Sequence, residues 1–159
     1  MTQPIAFTKL SGSGNDFACL DNRDGRFDPL LADAERIGHF ARLLCRRSMG
    51  VGADGVIFCC RPEVAEVADV AARFFEADGS ETDLCGNGTA CFTRWAFDSG
   101  FVRDSEIRIL TPAGVVLAQR SDGAGVVCQE GTCTALAPGA RTSPLAARNS
   151  QHSYSSGHH

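Results

Sequence analysis

A chain of 159 residues with 43% apolar side chains is long enough to form one domain around its own hydrophobic core. Its net charge of −4 provides no basic face for nucleic acid, and no segment is long and apolar enough to cross a bilayer. The first residues also lack the charged and apolar regions of a signal peptide. We therefore expect a cytoplasmic protein with neither a nucleic-acid nor a membrane partner.

The first 30 residues predict a hairpin followed by a loop. Residues 5–10 and 17–20 have the apolar, extended character of strands. The Gly-rich segment 11–16 between them predicts a wide polar tip. Residues 22–29 follow as a polar loop.

An amphipathic helix is predicted over residues 33–47. Its apolar side chains recur at helical spacing, at Ile37, Phe40, Ala41 and Leu44. Arg46 and Arg47 fall in the predicted last turn, where cations interact favourably with the helix dipole.

Four further strands are predicted after a second Gly-rich loop, at residues 56–60, 70–77, 107–110 and 115–118. Between the two pairs lies an apolar run, residues 88–97, interrupted by Arg94 and by threonines. A helix that is apolar on nearly all sides belongs in the interior of a fold. We predict an α+β fold in which a curved, mostly antiparallel sheet wraps around a central buried helix that begins near Gly86.

The composition changes near residue 128. Residues 129–159 are rich in small and polar side chains and show no helical or strand period. Such a segment buries too little surface to offset its ordering entropy. We expect a domain over residues 1–128 and a disordered, low-complexity tail over residues 129–159. A weak metal-binding or tag-like ending at His152, His158 and His159 is the less favoured interpretation.

The eight cysteines do not form a metal or disulfide framework by spacing. No Cys-x-x-C pair is present, which makes a zinc ribbon or a thioredoxin-type site improbable. Without a secretory signal, disulfides are also improbable. Most of these cysteines are expected to be small core residues.

Cys85 is the exception, because it precedes the turn Gly86-Asn87-Gly88 at the mouth of the predicted central helix. Free backbone N–H groups and the positive end of the helix dipole stabilise a thiolate at such a position. The same N–H groups can hold a carboxylate. The segment therefore indicates a thiolate base or nucleophile beside an anion-binding turn. A buried structural cysteine before a tight turn accounts for the motif equally well.

Four sequence blocks follow one another between Phe7 and Phe92. They are Phe7-Thr8-Lys9 with Gly14-Asn15-Asp16-Phe17; Gly50-Val51-Gly52-Ala53-Asp54-Gly55; Phe75-Glu76-Ala77-Asp78-Gly79-Ser80-Glu81; and Cys85-Gly86-Asn87-Gly88 with Cys91-Phe92. In this order they resemble the N-terminal half of the diaminopimelate epimerase family. Each block alone is weak, but their order makes the resemblance specific. Proline racemases and phenazine-type isomerases share the general architecture but match these blocks less well.

The resemblance implies a cofactor-independent isomerase of lysine biosynthesis, with no pyridoxal phosphate and no metal. One thiolate removes the α-proton of the amino-acid substrate, and a second cysteine, from the other half of the protein, returns a proton on the opposite face. Cys85 matches the first of these cysteines. Gly86 and Asn87 match the turn that holds the substrate, and Asn15 matches a contact to its distal end.

Some of these residues also have a purely structural interpretation. Asn15 lies in a Gly-Asn-Asp sequence that favours a turn on its own. Asp54 and Asp78 each precede a glycine, and we interpret both as turn caps rather than as site residues.

Two departures from the family pattern bear on function. Where this chain has Glu76, the family usually has an Asn that contacts the substrate. An ionised Glu cannot donate the hydrogen bond that the Asn side chain donates, and it adds a negative charge. It would repel a distal carboxylate and favour a distal ammonium, so a different amino-acid substrate is compatible with the sequence. The family's second domain, with its partner cysteine and its catalytic Glu and His, has no counterpart here, since Cys128 and Cys133 lack the flanking pattern.

Three hypotheses follow from the missing second half. The chain is an incomplete epimerase, for which a truncated or frameshifted gene product is one expectation. Alternatively, it is completed by another chain, either a second copy in a homodimer or a separately encoded second half. The third hypothesis is a non-catalytic module that binds an amino acid.

Overall fold

The computed structural model describes a nine-stranded β-sheet and three helices that lie between its strands in the sequence. The described part of the protein comprises residues 4–12 and 14–120, with the backbone of residues 126–130 and 152–154. The strands are β1 (Thr8–Gly12), β2 (Asn15–Asn22), β3 (Gly55–Cys60), β4 (Val70–Glu76), β5 (Glu81–Thr82), β6 (Glu106–Thr111), β7 (Gly114–Arg120), β8 (Val126–Glu130) and β9 (His152–Tyr154). The helices are α1 (Asp28–Leu31), α2 (Ala34–Cys45) and α3 (Gly86–Asp98).

The sheet curls around helix α3. Its strand order is β1-β2-β3-β4-β6-β7-β8-β9, with β5 attached to β4. Neighbours are antiparallel except for the β2–β3 and β4–β6 pairs, which are parallel. Strands β1 and β8 lie far apart in this order, yet both lie against α3, so the sheet must bend around the helix. The prediction of a mostly antiparallel sheet around a central helix is confirmed.

Each face of the sheet buries a separate apolar cluster. Along β2, Phe17 and Cys19 pack on the α3 side, whereas Ala18 and Leu20 pack on the α2 side. Because both faces are covered there, the middle of β2, residues 17–20, and the whole of β3 are apolar rather than alternating with polar residues.

Helix α3 is enclosed on nearly all sides. Nine of its 13 residues are buried, including Phe92 at 0% and Trp95 at 6% exposure, so the predicted burial of these two aromatic residues is confirmed. The two threonines are tolerated inside because each hydroxyl donates to a carbonyl one turn earlier. Thr89 Oγ1 donates to Cys85 O and Thr93 Oγ1 donates to Thr89 O, both at 2.8 Å.

Helix α2 begins as predicted but ends earlier. Asp33 caps it by accepting from the N–H groups of Glu35 and Arg36. The helix stops at Cys45, because Arg46 adopts an extended conformation with ψ of 121°. The predicted placement of Arg46 and Arg47 in its last turn is therefore wrong, and the side chain of Arg47 instead reaches the carboxylates of Asp16 and Asp54.

Two other local predictions need correction. The hairpin tip is narrow rather than wide, since the strand pairing extends to Gly12 opposite Asn15, and Gly14 turns the chain with a φ of +86°. The loop predicted over residues 22–29 contains the start of the short helix α1, which has Pro29 in its first turn. The sequence does not predict strand β5, because two residues carry no detectable period.

The predicted strands at 56–60, 70–77, 107–110 and 115–118 correspond to β3, β4, β6 and β7. The predicted tail, residues 129–159, lies outside the described residues except for the backbone of the β8 end and of β9. Among the helices described, none is long and apolar enough to span a membrane.

We predict that Phe92→Ala destabilises the protein by about 3–5 kcal/mol, because it leaves a cavity at the centre of the α3 cluster. Urea unfolding followed by far-UV circular dichroism measures the change. Phe7→Ala is the matched control: Phe7 is 45% exposed, and its truncation is expected to change stability by less than about 0.5 kcal/mol. Similar losses for the two variants would show that α3 is not enclosed in this way.

Candidate active site

Cys85 is the N-cap residue of α3, at the position that the sequence predicts. Its backbone is extended, with φ of −123° and ψ of 113°, and its carbonyl accepts the first helical hydrogen bond from Thr89 N at 2.7 Å. Its Sγ accepts a hydrogen bond from Gly88 N at 3.4 Å. A backbone N–H aimed at the sulfur, together with the helix dipole, favours negative charge on that atom.

Gly88 is needed for the sulfur to occupy this position. A Cβ on Gly88 would lie 3.3 Å from Cys85 Sγ, 3.2 Å from Cys85 Cβ and 3.3 Å from a ring carbon of Phe74. All three approaches are tighter than ordinary van der Waals contact. The glycine therefore allows the thiol to pack directly against the first turn of the helix.

The first turn of α3 also presents hydrogen-bond donors. Within the described residues, the backbone N–H groups of Gly86 and Asn87 have no acceptor. Helix N-terminal N–H groups of this kind bind carboxylates, with the dipole adding to the attraction. The thiol and the donors thus lie within one helical turn of each other.

Asn87 connects this turn to the start of β2. Its Nδ2 donates to Oδ1 of Asn15 at 2.7 Å, across a sequence separation of 72 residues. The structure thus joins Asn15 to Asn87 and the Cys85 turn.

A charged network behind Asn15 is not anticipated from the sequence. Asn15 Nδ2 donates to Asp54 Oδ2 at 3.3 Å, and Arg47 donates to both Asp54 and Asp16 at 2.9 Å. Lys9 Nζ lies 3.2 Å from Asp16 Oδ2. Asp54 is therefore more than a turn cap, because it links three chain segments. The sequence offered one signal for this network: each of the two Gly-rich loops contains an aspartate, Asp16 in the first and Asp54 in the second.

The electrostatics of this network favour the ionised form of Asp16. The hydrogen bonds from Arg47, and then from Lys9, hold the pKa of Asp16 well below its usual range, against a smaller opposing effect of burial.

Glu76 lies at the same end of the sheet. It is the last residue of β4 and is exposed, and it pairs in register with Gly55, which in turn is opposite Phe17 on β2. Its side chain has no hydrogen-bond partner in the described part of the chain. Asp78 differs from Asp54: its carboxylate accepts from Ser80 N and Ser80 Oγ in a local turn, in agreement with its structural interpretation.

A family model described as diaminopimelate epimerase matches residues 7–136. This chain belongs to the diaminopimelate epimerase family. It is 40% identical to the diaminopimelate epimerase of Archaeoglobus fulgidus over 112 residues, 70% of this chain and 37% of that protein. It is 43% identical to the enzyme of the same name from Synechococcus sp. over 125 residues, 77% of this chain and 41% of that protein. The chain spans about two fifths of the length of these curated relatives.

Solved structures of other isomerases share the fold. A hydroxyproline epimerase from Agrobacterium vitis superposes with a TM-score of 0.54 at 16% identity, over 77% of this chain and 40% of that one. A PhzF-family phenazine biosynthesis protein from Bacillus anthracis superposes with a TM-score of 0.53 at 21% identity, over 78% of this chain and 38% of that one. At these identities the likeness concerns the fold alone, and it agrees with the architecture expected for a diaminopimelate epimerase family member.

The other five thiols that the structure describes in this family member differ from Cys85 in their surroundings. Burial raises the pKa of Cys45 and of Cys91 to about 11, and it also raises the pKa of Cys19, Cys59 and Cys60. Cys85 is half-exposed and holds a backbone hydrogen bond on its sulfur. In the described ranges, no group of three or more His, Cys, Asp or Glu side chains is arranged to hold a metal ion.

We predict that Cys85 is the thiol most rapidly alkylated by limiting iodoacetamide near neutral pH, because the thiolate is the reactive form and burial disfavours it elsewhere. Peptide mass spectrometry of the folded protein measures the order of labelling. Denatured protein is the control, in which all eight cysteines are expected to react at similar rates. Faster labelling of Cys60, which is also half-exposed, would contradict the prediction.

We predict that the stabilisation from Asp16 disappears in acid. Its pKa is lower in the folded state than the roughly 3.9 of an unfolded Asp, so its contribution is complete above that value and is lost as the pH falls towards the folded-state pKa. Asp16→Asn should therefore be less stable than the parent protein at pH 7, with a difference that shrinks below about pH 4. Urea unfolding at several pH values measures this. Asp24→Asn removes an exposed ion pair with Arg26 and should have little effect.

Proposed function

We propose that this chain provides one half of the active site of a cofactor-independent amino-acid epimerase, with Cys85 as the proton-transferring group. Diaminopimelate, the amino acid in the family's name, is the substrate we propose, on the route to lysine. The observation that carries the proposal is the position of Cys85 Sγ at the N-cap of α3, hydrogen-bonded to Gly88 N and adjacent to the free N–H groups of Gly86 and Asn87.

The proposed chemistry begins with the substrate carboxylate on the first turn of α3. The Cys85 thiolate takes the α-proton, so the C–H bond breaks, an S–H bond forms, and the electron pair moves into the carboxylate. Negative charge then builds on oxygens that the N–H groups of Gly86 and Asn87 contact. Donors fixed in place before the reaction stabilise such developing charge efficiently.

Inversion needs a second acid on the opposite face of the α-carbon. The sequence Cys-Gly-Asn-Gly occurs once in these 159 residues, so Cys85 serves one face. We propose that another polypeptide supplies the second acid, either a second copy of the chain or a separate second half.

Glu76 bears on substrate choice. Its exposed carboxylate at the β4 end places a negative charge at the end of the sheet that holds the Asn15–Asn87 pair. This charge attracts a distal ammonium group and repels a distal carboxylate. We propose that Glu76 makes the site more favourable to a distal ammonium than the usual Asn would.

The described cysteines are compatible with a reducing compartment. Six of them are free thiols, and we propose on this basis that the protein works in the cytoplasm.

We predict that a protein of these 159 residues exchanges the α-proton of diaminopimelate with solvent but does not invert the centre at a rate typical of enzymes. One cysteine serves one face only, and a half-site open to water loses electrostatic stabilisation. Loss of one member of a catalytic unit commonly costs several orders of magnitude in rate. Incubation with LL- and meso-diaminopimelate in deuterated water, followed by mass spectrometry and chiral chromatography, measures exchange and inversion separately.

Cys85→Ala should abolish the exchange, whereas Cys60→Ala, a matched half-exposed thiol on the α2 side, should retain it. Ligand binding without exchange would favour an amino-acid-binding module instead. Rapid inversion that depends on Cys85 would show a composite site assembled from two copies. Lysine, which lacks the distal carboxylate, tests Glu76 in the same assay: Glu76→Asn should lower the exchange rate of lysine relative to that of diaminopimelate.

A further inference from the structure

The Asn15–Asn87 pair has a defined direction of hydrogen bonding. The two ends of a carboxamide have nearly the same shape, so its oxygen and nitrogen are distinguished only by their partners. Asn15 is contacted on one side by Asp54 Oδ2, at 3.3 Å from its Nδ2, and on the other by Asn87 Nδ2, at 2.7 Å from its Oδ1. The chemistry of these neighbours decides which way each amide faces.

Asp54 acts in this pair as an acceptor. Its Oδ1 receives a hydrogen bond from Arg47 at 2.9 Å, and its Oδ2 receives one from the backbone N–H of Asp16 at 3.0 Å. An ionised carboxylate accepts hydrogen bonds and cannot donate them. The Asn15 edge that faces Asp54 must therefore be its amino group.

This constraint extends from Asn15 to Asn87. Because the amino group of Asn15 faces Asp54, its carbonyl oxygen faces Asn87. Asn87 must therefore donate to that oxygen through its own amino group. The Asn87 Oδ1 is then left without a hydrogen-bond donor among the described residues. It lies in the same helical turn as the free N–H of Gly86.

We propose that Asp54, held by Arg47, is a positioning residue that sets the hydrogen-bond polarity of Asn15 and Asn87. The result is a turn that presents an acceptor, Asn87 Oδ1, for an ammonium group and a donor, Gly86 N–H, for a carboxylate. That combination fits the zwitterionic end of an α-amino acid. The identity of the ligand rests on the proposed function above, whereas the polarity itself does not.

The reverse polarity would disfavour this ligand. If both carboxamides turned over, Asn87 would present its amino group beside the N–H groups of the helix. A site made only of donors repels an ammonium. The charge on Asp54 prevents the turnover, because it would place the Asn15 carbonyl oxygen against a carboxylate.

The polarity can be read in the parent protein by NMR. The Asn15 amino protons and the backbone N–H of Asp16 both donate to Asp54 Oδ2, so a nuclear Overhauser effect between them is expected. Cross-peaks are also expected between the Asn87 amino protons and the Asn15 side chain. An Asn15 amino group found facing Asn87 instead would overturn the proposal without any variant.

Asp54→Asn and Asp16→Asn form a matched pair of variants. Each removes one negative charge from the same Arg47 network, but only Asp54 contacts the Asn15 side chain. In folded Asp54→Asn, the side-chain amide signals of Asn15 and Asn87 should shift or split into two sets as both polarities become populated. In Asp16→Asn the contacts between the two asparagines should persist. Equal changes in both variants would indicate a general structural effect and contradict the assignment.

Titration with LL-diaminopimelate adds a functional measurement. Asp54→Asn should weaken binding about tenfold, the effect expected when one oriented hydrogen bond to a charged group is lost. Asp16→Asn should weaken it less. If the parent protein itself does not bind the ligand, the proposed function fails, while the NMR contacts still decide whether Asp54 sets the polarity. If Asp54→Asn does not fold, the contacts in the parent protein decide alone.

Discussion

Helix α3 must be enclosed, and the arrangement of the described structure follows from this constraint. Its apolar side chains extend around nearly the whole helix, so no single flat surface can cover them. The sheet bends until β1 and β8 both lie against it. Helix α2 then covers the outer face of β2 and β3, so the middle of β2 and the whole of β3 are apolar on both sides. The termini of a helix cannot be enclosed in the same way, because its first N–H groups need partners outside the helix.

The candidate site lies at that unenclosed N-terminus. Cys85 caps the helix with its sulfur, where most helices use an oxygen of Ser, Thr, Asp or Asn. A sulfur is a weaker acceptor, so this cap stabilises the helix less and leaves a group with acid–base chemistry at its mouth. The packing of α3 offsets the weaker cap, so a thiol can occupy this position without loss of the helix. Gly88 contributes by leaving room for the sulfur.

Charges behind the site act through neutral amides. Arg47, Asp16 and Asp54 form hydrogen bonds with one another, and the Asp54 carboxylate is in contact with Asn15. Asn15 and Asn87 carry no net charge, and we propose that Asp54 sets the direction of the hydrogen bond between them. Under the proposed function, such an arrangement orients a binding group without placing a full charge against the ligand. Glu76 is the exception, since it carries its charge on an exposed side chain at the end of β4.

The sequence alone determined the elements with strong periodicity and the position of the thiol. The helix at 33–47, the apolar helix near 88–97 and the strands from 56 to 118 were predictable, because their patterns reflect burial that the fold requires. The cap at Cys85 was predictable because the glycine turn and the apolar run behind it mark where the helix begins. Three local features were not predictable: the hairpin tip, the end of α2 at Cys45 and the short helix α1. Each depends on a few local contacts, which leave no periodic pattern in the sequence.

Only the tertiary structure brought Arg47 to Asp16 and Asp54, and Asn87 to Asn15. These contacts join residues 7 to 72 positions apart in the chain. Local sequence patterns contain no information about which distant charges and amides the folded sheet brings together, because that choice depends on how the strands pair and how the sheet bends around α3.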